Sequence, residues 1–228
     1  MQKSFGVAKV LTLVLGLSAL ATVPVHADTI SYQNALVTLN VTSNNYVTVT
    51  ITNTLSNSQV TSVGSNISGL YFDVTGYTGS GAALSSSSGQ TTDIYGHLGF
   101  LQGIQSTGWV ASNFGSGLTL CVICASPVQN QTAPEMTIVG GSGWGLYANA
   151  NSSINNNGPH NPFLVGTVSF TLYVPGVTAD SQFSNVVVQF GTTATPPTEV
   201  PEPASLAFLL PSGATLFGAI GLRLRKSS

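Results

Sequence analysis

Cys121-Val122-Ile123-Cys124 holds both thiols of the chain and is the first place to look for chemistry. Two cysteines at this spacing can form a disulfide, supply half of a metal site or act as a redox centre. On one straight strand, positions i and i+3 point to opposite faces roughly 10 Å apart, whereas a disulfide needs Cα atoms within ~7 Å. A Cys121–Cys124 bond therefore requires a turn, which Ala125-Ser126-Pro127 would help to make; without a turn the thiols stay free. A thioredoxin-like centre wants a helix starting after the first cysteine, and Val-Ile-Cys-Ala offers none. Zinc needs two further ligands, and beyond the N-terminal segment only His97 and His160 are at hand.

The remaining chemical groups are scattered. Asp73, Asp93, Glu135 and Asp180 stand alone in sequence, and no G-x-S-x-G elbow or D-x-D-x-D-G calcium run occurs. These absences point to a non-enzyme without cofactor and with no metal site assigned, an irregular calcium site from Asp73, Asp93 or backbone carbonyls of the Asn-rich turns being the alternative left open. Trp109, Trp144 and Tyr147 remain as candidate glycan contacts, because an aromatic ring covers the apolar face of a sugar while neighbouring amides bind hydroxyls. Core packing is the competing role for each of them.

Charge narrows the field further. All five basic residues are terminal: Lys3, Lys9, Arg223, Arg225 and Lys226. Phosphate contacts need Lys or Arg, so a nucleic-acid partner is excluded for the interior, which must fold on apolar burial and backbone hydrogen bonding. Charged residues make up 5% of the chain, yet 43% hydrophobic content separates it from disordered sequences, which pair low hydrophobicity with high charge.

The ends carry targeting patterns. Residues 1–27 have Lys3 and Lys9, an apolar run from Val10 to Leu20 and a Val25-His26-Ala27 site, which together predict a signal peptide cut by signal peptidase between Ala27 and Asp28. Residues 204–222 are uncharged; nineteen helical residues span about 28 Å, close to the ~30 Å hydrocarbon core. They predict a transmembrane helix whose basic tail, residues 223–228 with Arg223, Arg225 and Lys226, stays cytoplasmic. Ahead of it, residues 194–203 form a Pro-rich linker, expected to be extended because proline fixes φ and lacks an N–H.

Val200-Pro201-Glu202-Pro203, the apolar span and the basic tail, in that order, resemble the PEP-CTERM sorting signal of exported bacterial proteins. The resemblance covers about 30 residues; Pro211 and Gly213 inside the span depart from a regular helix but are tolerated in membrane helices. It implies an exosortase, a membrane-embedded cysteine peptidase, as processing partner, with Pro201, Glu202 and Pro203 as its recognition element. It further implies transient membrane anchoring and then a cell-surface or extracellular location in an exopolysaccharide-producing bacterium.

Between the ends, residues 28–193 suit one domain. Period-two runs at 35–41, 46–52, 67–74, 118–124, 165–174 and 183–190 are separated by Gly, Asn, Ser and Pro clusters, with no helical period. They predict an all-β fold, an antiparallel β-sandwich. The connector PGVTADSQ predicts that the last two runs are neighbouring strands, and the Ser-rich 79–93 and Asn-rich 149–162 stretches predict solvated loops. The weak similarity of the middle region to other passengers of this sorting signal, through residues 66–76 and 166–192, adds only to the fold. The expected function is an exported, non-enzymatic surface or matrix protein with a structural or adhesive role; the rival is a carbohydrate-binding module engaging exopolysaccharide.

Overall fold

The computed structural model describes residues 27–124 and 135–192. The signal-peptide run before Ala27, the Pro-rich linker and its PEP triplet, the apolar span, the basic tail and the Ala125-Ser126-Pro127 stretch lie outside the described residues.

The fold is all-β. Twelve strands run in chain order: β1 (Ala27–Tyr32), β2 (Ala35–Ser43), β3 (Tyr46–Asn53), β4 (Ile67–Val74), β5 (Ala83–Tyr95), β6 (Leu98–Gln105), β7 (Val110–Phe114), β8 (Gly117–Cys121), β9 (Ile138–Val139), β10 (Gly145–Leu146), β11 (Phe163–Tyr173) and β12 (Phe183–Phe190). All strand pairs are antiparallel except β9 with β11. One group runs β1-β2-β3-β11-β5-β6-β10 and a second runs β12-β4-β8-β7, with β9 touching both β11 and β4. Helix among the described residues is confined to three short 3-10 turns, and none is long and apolar enough to cross a membrane.

Alternation explains why the strands pack as they do, since a period of two places every second side chain on one face. Val37, Leu39 and Val41 of β2 are buried between exposed or half-buried neighbours, as are Val47, Val49 and Ile51 of β3. These residues join Leu70 and Phe72 of β4, Leu118 and Leu120 of β8, and Phe170 and Leu172 of β11 in one continuous core. A smaller core gathers Val60, Ile94, Val139, Tyr147, Ala150, Ile154, Phe163 and Val165.

Three expectations are corrected. The Ser-rich stretch is not a loop: residues 83–95 form β5, hydrogen-bonded to β11 on one side and β6 on the other. Ladder bonds on both sides outweigh the weak strand propensity of serine, and small residues are needed there. A Cβ on Gly89 would sit 2.8 Å from Leu164 Cδ2, inside contact distance. The last two runs are not neighbours either, because β11 pairs with β3 and β5 while β12 pairs with β4. Their connector crosses instead of folding back: Val174 and Val177 are buried, and the Asn45 N–H donates to Val177 O and the Thr75 N–H to Gln182 O. The 149–162 stretch is a loop as expected, but a half-buried one, with Ala150, Ile154, Asn155 and Asn161 inside.

The strand registers also fix two opposite ends. At one of them lie the end of β3, the start of β4 opposite the end of β12, the start of β11 and the Gly96-His97 turn between β5 and β6. The smaller core fills this end.

Candidate functional site

Cys121 ends β8 and the chain then bends, bringing Cys124 back to a Cα–Cα distance of 5.4 Å, and the two sulfurs are bonded. The turn that the spacing demanded is present. Both cysteines are buried, as are Val122 and Ile123, and the hook is tied down by the Val122 N–H donating to Ser68 O (3.0 Å) and Gln189 Nε2 donating to Ile123 O (2.9 Å). Its place is structural, closing one strand end over the main core.

Trp109, Trp144 and Tyr147 do not form a common surface. Trp109 is 3% exposed; its Nε1–H donates to Met136 O and its ring packs against Phe170 at a centroid distance of 5.0 Å. Tyr147 is fully buried, its hydroxyl donating to Gly140 O and accepting from the Gly143 N–H, both at 3.0 Å. Burial raises its phenol pKa, with the Gly143 hydrogen bond opposing. As candidate glycan contacts Trp109 and Tyr147 are therefore corrected, and core packing, the competing role, holds for both: each ring fills the interior, and each polar atom is satisfied there, as buried polar atoms are. Only Trp144 faces solvent, at 63% exposure.

The titratable groups are dispersed in space as in sequence. Asp73 accepts from Tyr71 Oη (2.7 Å) and Asn185 Nδ2 (2.8 Å). His97 and His160 each place Nδ1 against a backbone carbonyl, Tyr147 O (3.2 Å) and Ser153 O (2.6 Å); a carbonyl can only accept, so Nδ1 carries the proton in both. Among the described residues no three of His, Cys, Asp and Glu come together as a metal site.

The structure assembles instead an apolar surface around Trp144. The Tyr95-Gly96-His97-Leu98 hairpin turns on two residues with φ of 57° and 60°, the geometry that matches strand twist in a tight hairpin. It sets Tyr95 opposite Leu98, while β10 sets Leu146 against the other side of Leu98. Residues directly opposite share a face, so Tyr95, Leu98 and Leu146 form a row across three strands. Phe100, opposite Asp93, starts the next row, and Trp144 meets its ring edge-on at 6.3 Å. All five apolar members are 40% exposed or more. Burial raises the Asp93 carboxyl pKa beside them.

Polar anchors hold this surface in place. Asn57 donates from Nδ2 to Trp144 O and accepts at Oδ1 from the Ser142 N–H, both at 2.8 Å. The Tyr147 N–H donates to His97 O at 2.7 Å. Thr92 Oγ1 donates to Gly143 O at 2.7 Å, and Gly143 itself sits at φ 73° where a Cβ would strike Val165 and Leu101. Phe100, Leu98, Leu146 and Tyr95 had no part in the sequence reading. For Leu98 and Phe100 the signal was the uncharged run LGFLQGIQ at 98–105 directly after the Gly96-His97 turn, which lacks the charges that usually protect an exposed strand; Tyr95 and Leu146 carried none. No protein-family model, curated protein or solved structure matches this chain.

Proposed function

We propose that the chain is an exported, non-enzymatic surface or matrix protein, anchored transiently by residues 204–222 and sorted through the Val200-Pro201-Glu202-Pro203 signal that it resembles. Its working part is an antiparallel β-sandwich, a reading supported by two strand groups that contribute to one core. The observation that carries the adhesive role is the exposed cluster of Tyr95, Leu98, Phe100, Trp144 and Leu146, on a domain whose other candidate aromatics, Trp109 and Tyr147, and both cysteines are buried. Apolar side chains exposed together, unlike single scattered ones, form the kind of surface through which proteins make contacts. Signal peptidase and exosortase are the processing partners in this reading, and no cofactor or nucleic acid enters it.

Carbohydrate contact is the rival role. It has lost Trp109 and Tyr147 to the interior and keeps one exposed indole, with Phe100 perpendicular to it at 89°. Perpendicular rings do not make a flat platform for successive sugars, so docking through the apolar cluster is the stronger reading.

Localisation of an epitope-tagged chain tests the sorting step. With the native triplet the ectodomain is expected at the surface or in the medium; with Pro201, Glu202 and Pro203 replaced by Ala it is expected to stay in the membrane fraction. Identical fractionation of the two chains would sink the sorting reading.

A further inference from the structure

The apolar cluster and the exit of the chain lie at the same end of the domain. β12 finishes at Phe190, opposite Ile67 at the start of β4, and the Gly191 N–H donates to Asn66 O at 2.8 Å. The stretch from 55 to 66 touches both features: Asn57 holds the Trp144 carbonyl, and Asn66 holds Gly191. Residues 193–203 separate that exit from the uncharged span beginning at Ala204. Even fully extended, eleven residues reach no more than about 34 Å at ~3.1 Å per residue. With the span in a bilayer, the point where the chain leaves the domain is thus leashed within that distance of the membrane surface, and Trp144 lies at the same end of the domain.

We propose that this cluster is a membrane-docking face, on which the domain rests against the interfacial zone of the bilayer that holds its own anchor. The inference builds on the anchoring role of residues 204–222 given above. Side-chain chemistry favours that zone: Trp and Tyr are enriched at the membrane–water interface, where an apolar ring and a polar edge are both accommodated. Trp144, Tyr95, Phe100, Leu98 and Leu146 supply two aromatic rings with polar atoms, one without, and two aliphatic side chains.

Backbone geometry disfavours a partner strand at the same place. β10 already covers Leu98 and Gly99 of the β6 edge, and beyond them the β5–β6 ladder shifts register at Thr91/Thr92, with Gly103 at φ 141°. A bulge of this kind twists an edge away from strand addition. What the edge presents is side chains. The absence of Lys and Arg from Asp28 to Leu222 removes attraction to anionic headgroups, so the matching surface is a zwitterionic bilayer. Tethering offsets the small size of the patch, because a short linker supplies an effective concentration on the order of millimolar.

Two tryptophans of opposite exposure make the test direct. The full chain is reconstituted into phosphatidylcholine vesicles with and without brominated acyl chains, alongside a Trp144→Phe variant whose residual emission is that of Trp109. The difference spectrum reports Trp144 alone. Expected are co-flotation of the protein with the vesicles, at least twofold quenching of the Trp144 component by brominated lipid, and loss of that quenching in a Leu98→Ser/Leu146→Ser variant that still floats. Co-flotation with Trp144 unquenched by lipid and open to aqueous acrylamide would overturn docking while leaving the anchor intact. Failure to float would remove the anchor reading and docking with it. Protection of Trp144 that grows with protein concentration and occurs equally in detergent would assign the face to a second copy of the chain and overturn the membrane proposal.

Discussion

The two apolar cores of this domain are built differently. The larger one takes alternate residues from β2, β3, β4, β8 and β11, so neighbouring members such as Val47, Val49 and Ile51 come from a single period-two run. The smaller one takes Ile94, Val139, Tyr147, Ile154 and Phe163 from separate stretches, several outside any long strand. Hydrogen bonds carry its geometry: Tyr147 links Gly140 and Gly143, Asn161 Oδ1 accepts from the Ile94 N–H, and Asn155 Oδ1 accepts from the His97 N–H. A core made of strands is specified by local pattern, whereas a core made of loops is specified by polar contacts between residues far apart in sequence. The exposed cluster stands on the second kind.

The largest expected effect comes from breaking the larger core. Phe170→Ala removes a ring that is 1% exposed and packed on Trp109, and should lower unfolding free energy by about 3–5 kcal/mol, measured by chemical denaturation. Loss of less than about 1 kcal/mol would show that the strands do not carry the stability assigned to them.

Tyr147→Phe probes the smaller core with its packing almost preserved. It strands Gly140 O and the Gly143 N–H inside the protein, at a cost of about 1–3 kcal/mol. Amide exchange should quicken across 140–161 while β2 and β3 remain protected. Equal loosening of both regions would merge the two cores into one cooperative unit.

Asp93→Asn should have the smallest effect. Burial raises this carboxyl's pKa above 3.8 in the folded state, so its ionised form opposes folding. That penalty is present above the folded-state value and disappears as pH falls below 3.8. Solvent screening keeps it small. The variant should melt slightly higher at pH 7 and identically near pH 3; a lower melting temperature at pH 7 would contradict the assignment.

Legibility of the sequence follows the same division. The period-two runs at 35–41, 46–52, 67–74, 118–124, 165–174 and 183–190 coincide with β2, β3, β4, β8, β11 and β12, the fourth overshooting because Cys121 opens a turn. β5 was hidden in serines, whose strand state depends on partners at both edges. The candidate surface was hidden because Leu146 and Leu98 become neighbours only through pairing across 48 residues, 146 − 98. Trp109, Trp144 and Tyr147 carried the right chemistry, but burial divided them.

The sequence alone determined an all-β domain without interior Lys or Arg, since alternation and composition act locally and need no partner to be read. Tertiary structure decided which aromatic rings face solvent, that β11 and β12 part company, and that Cys121 and Cys124 meet. Each of those outcomes depends on contacts between distant residues, and a pattern of period two records which face a side chain takes without recording what lies opposite it.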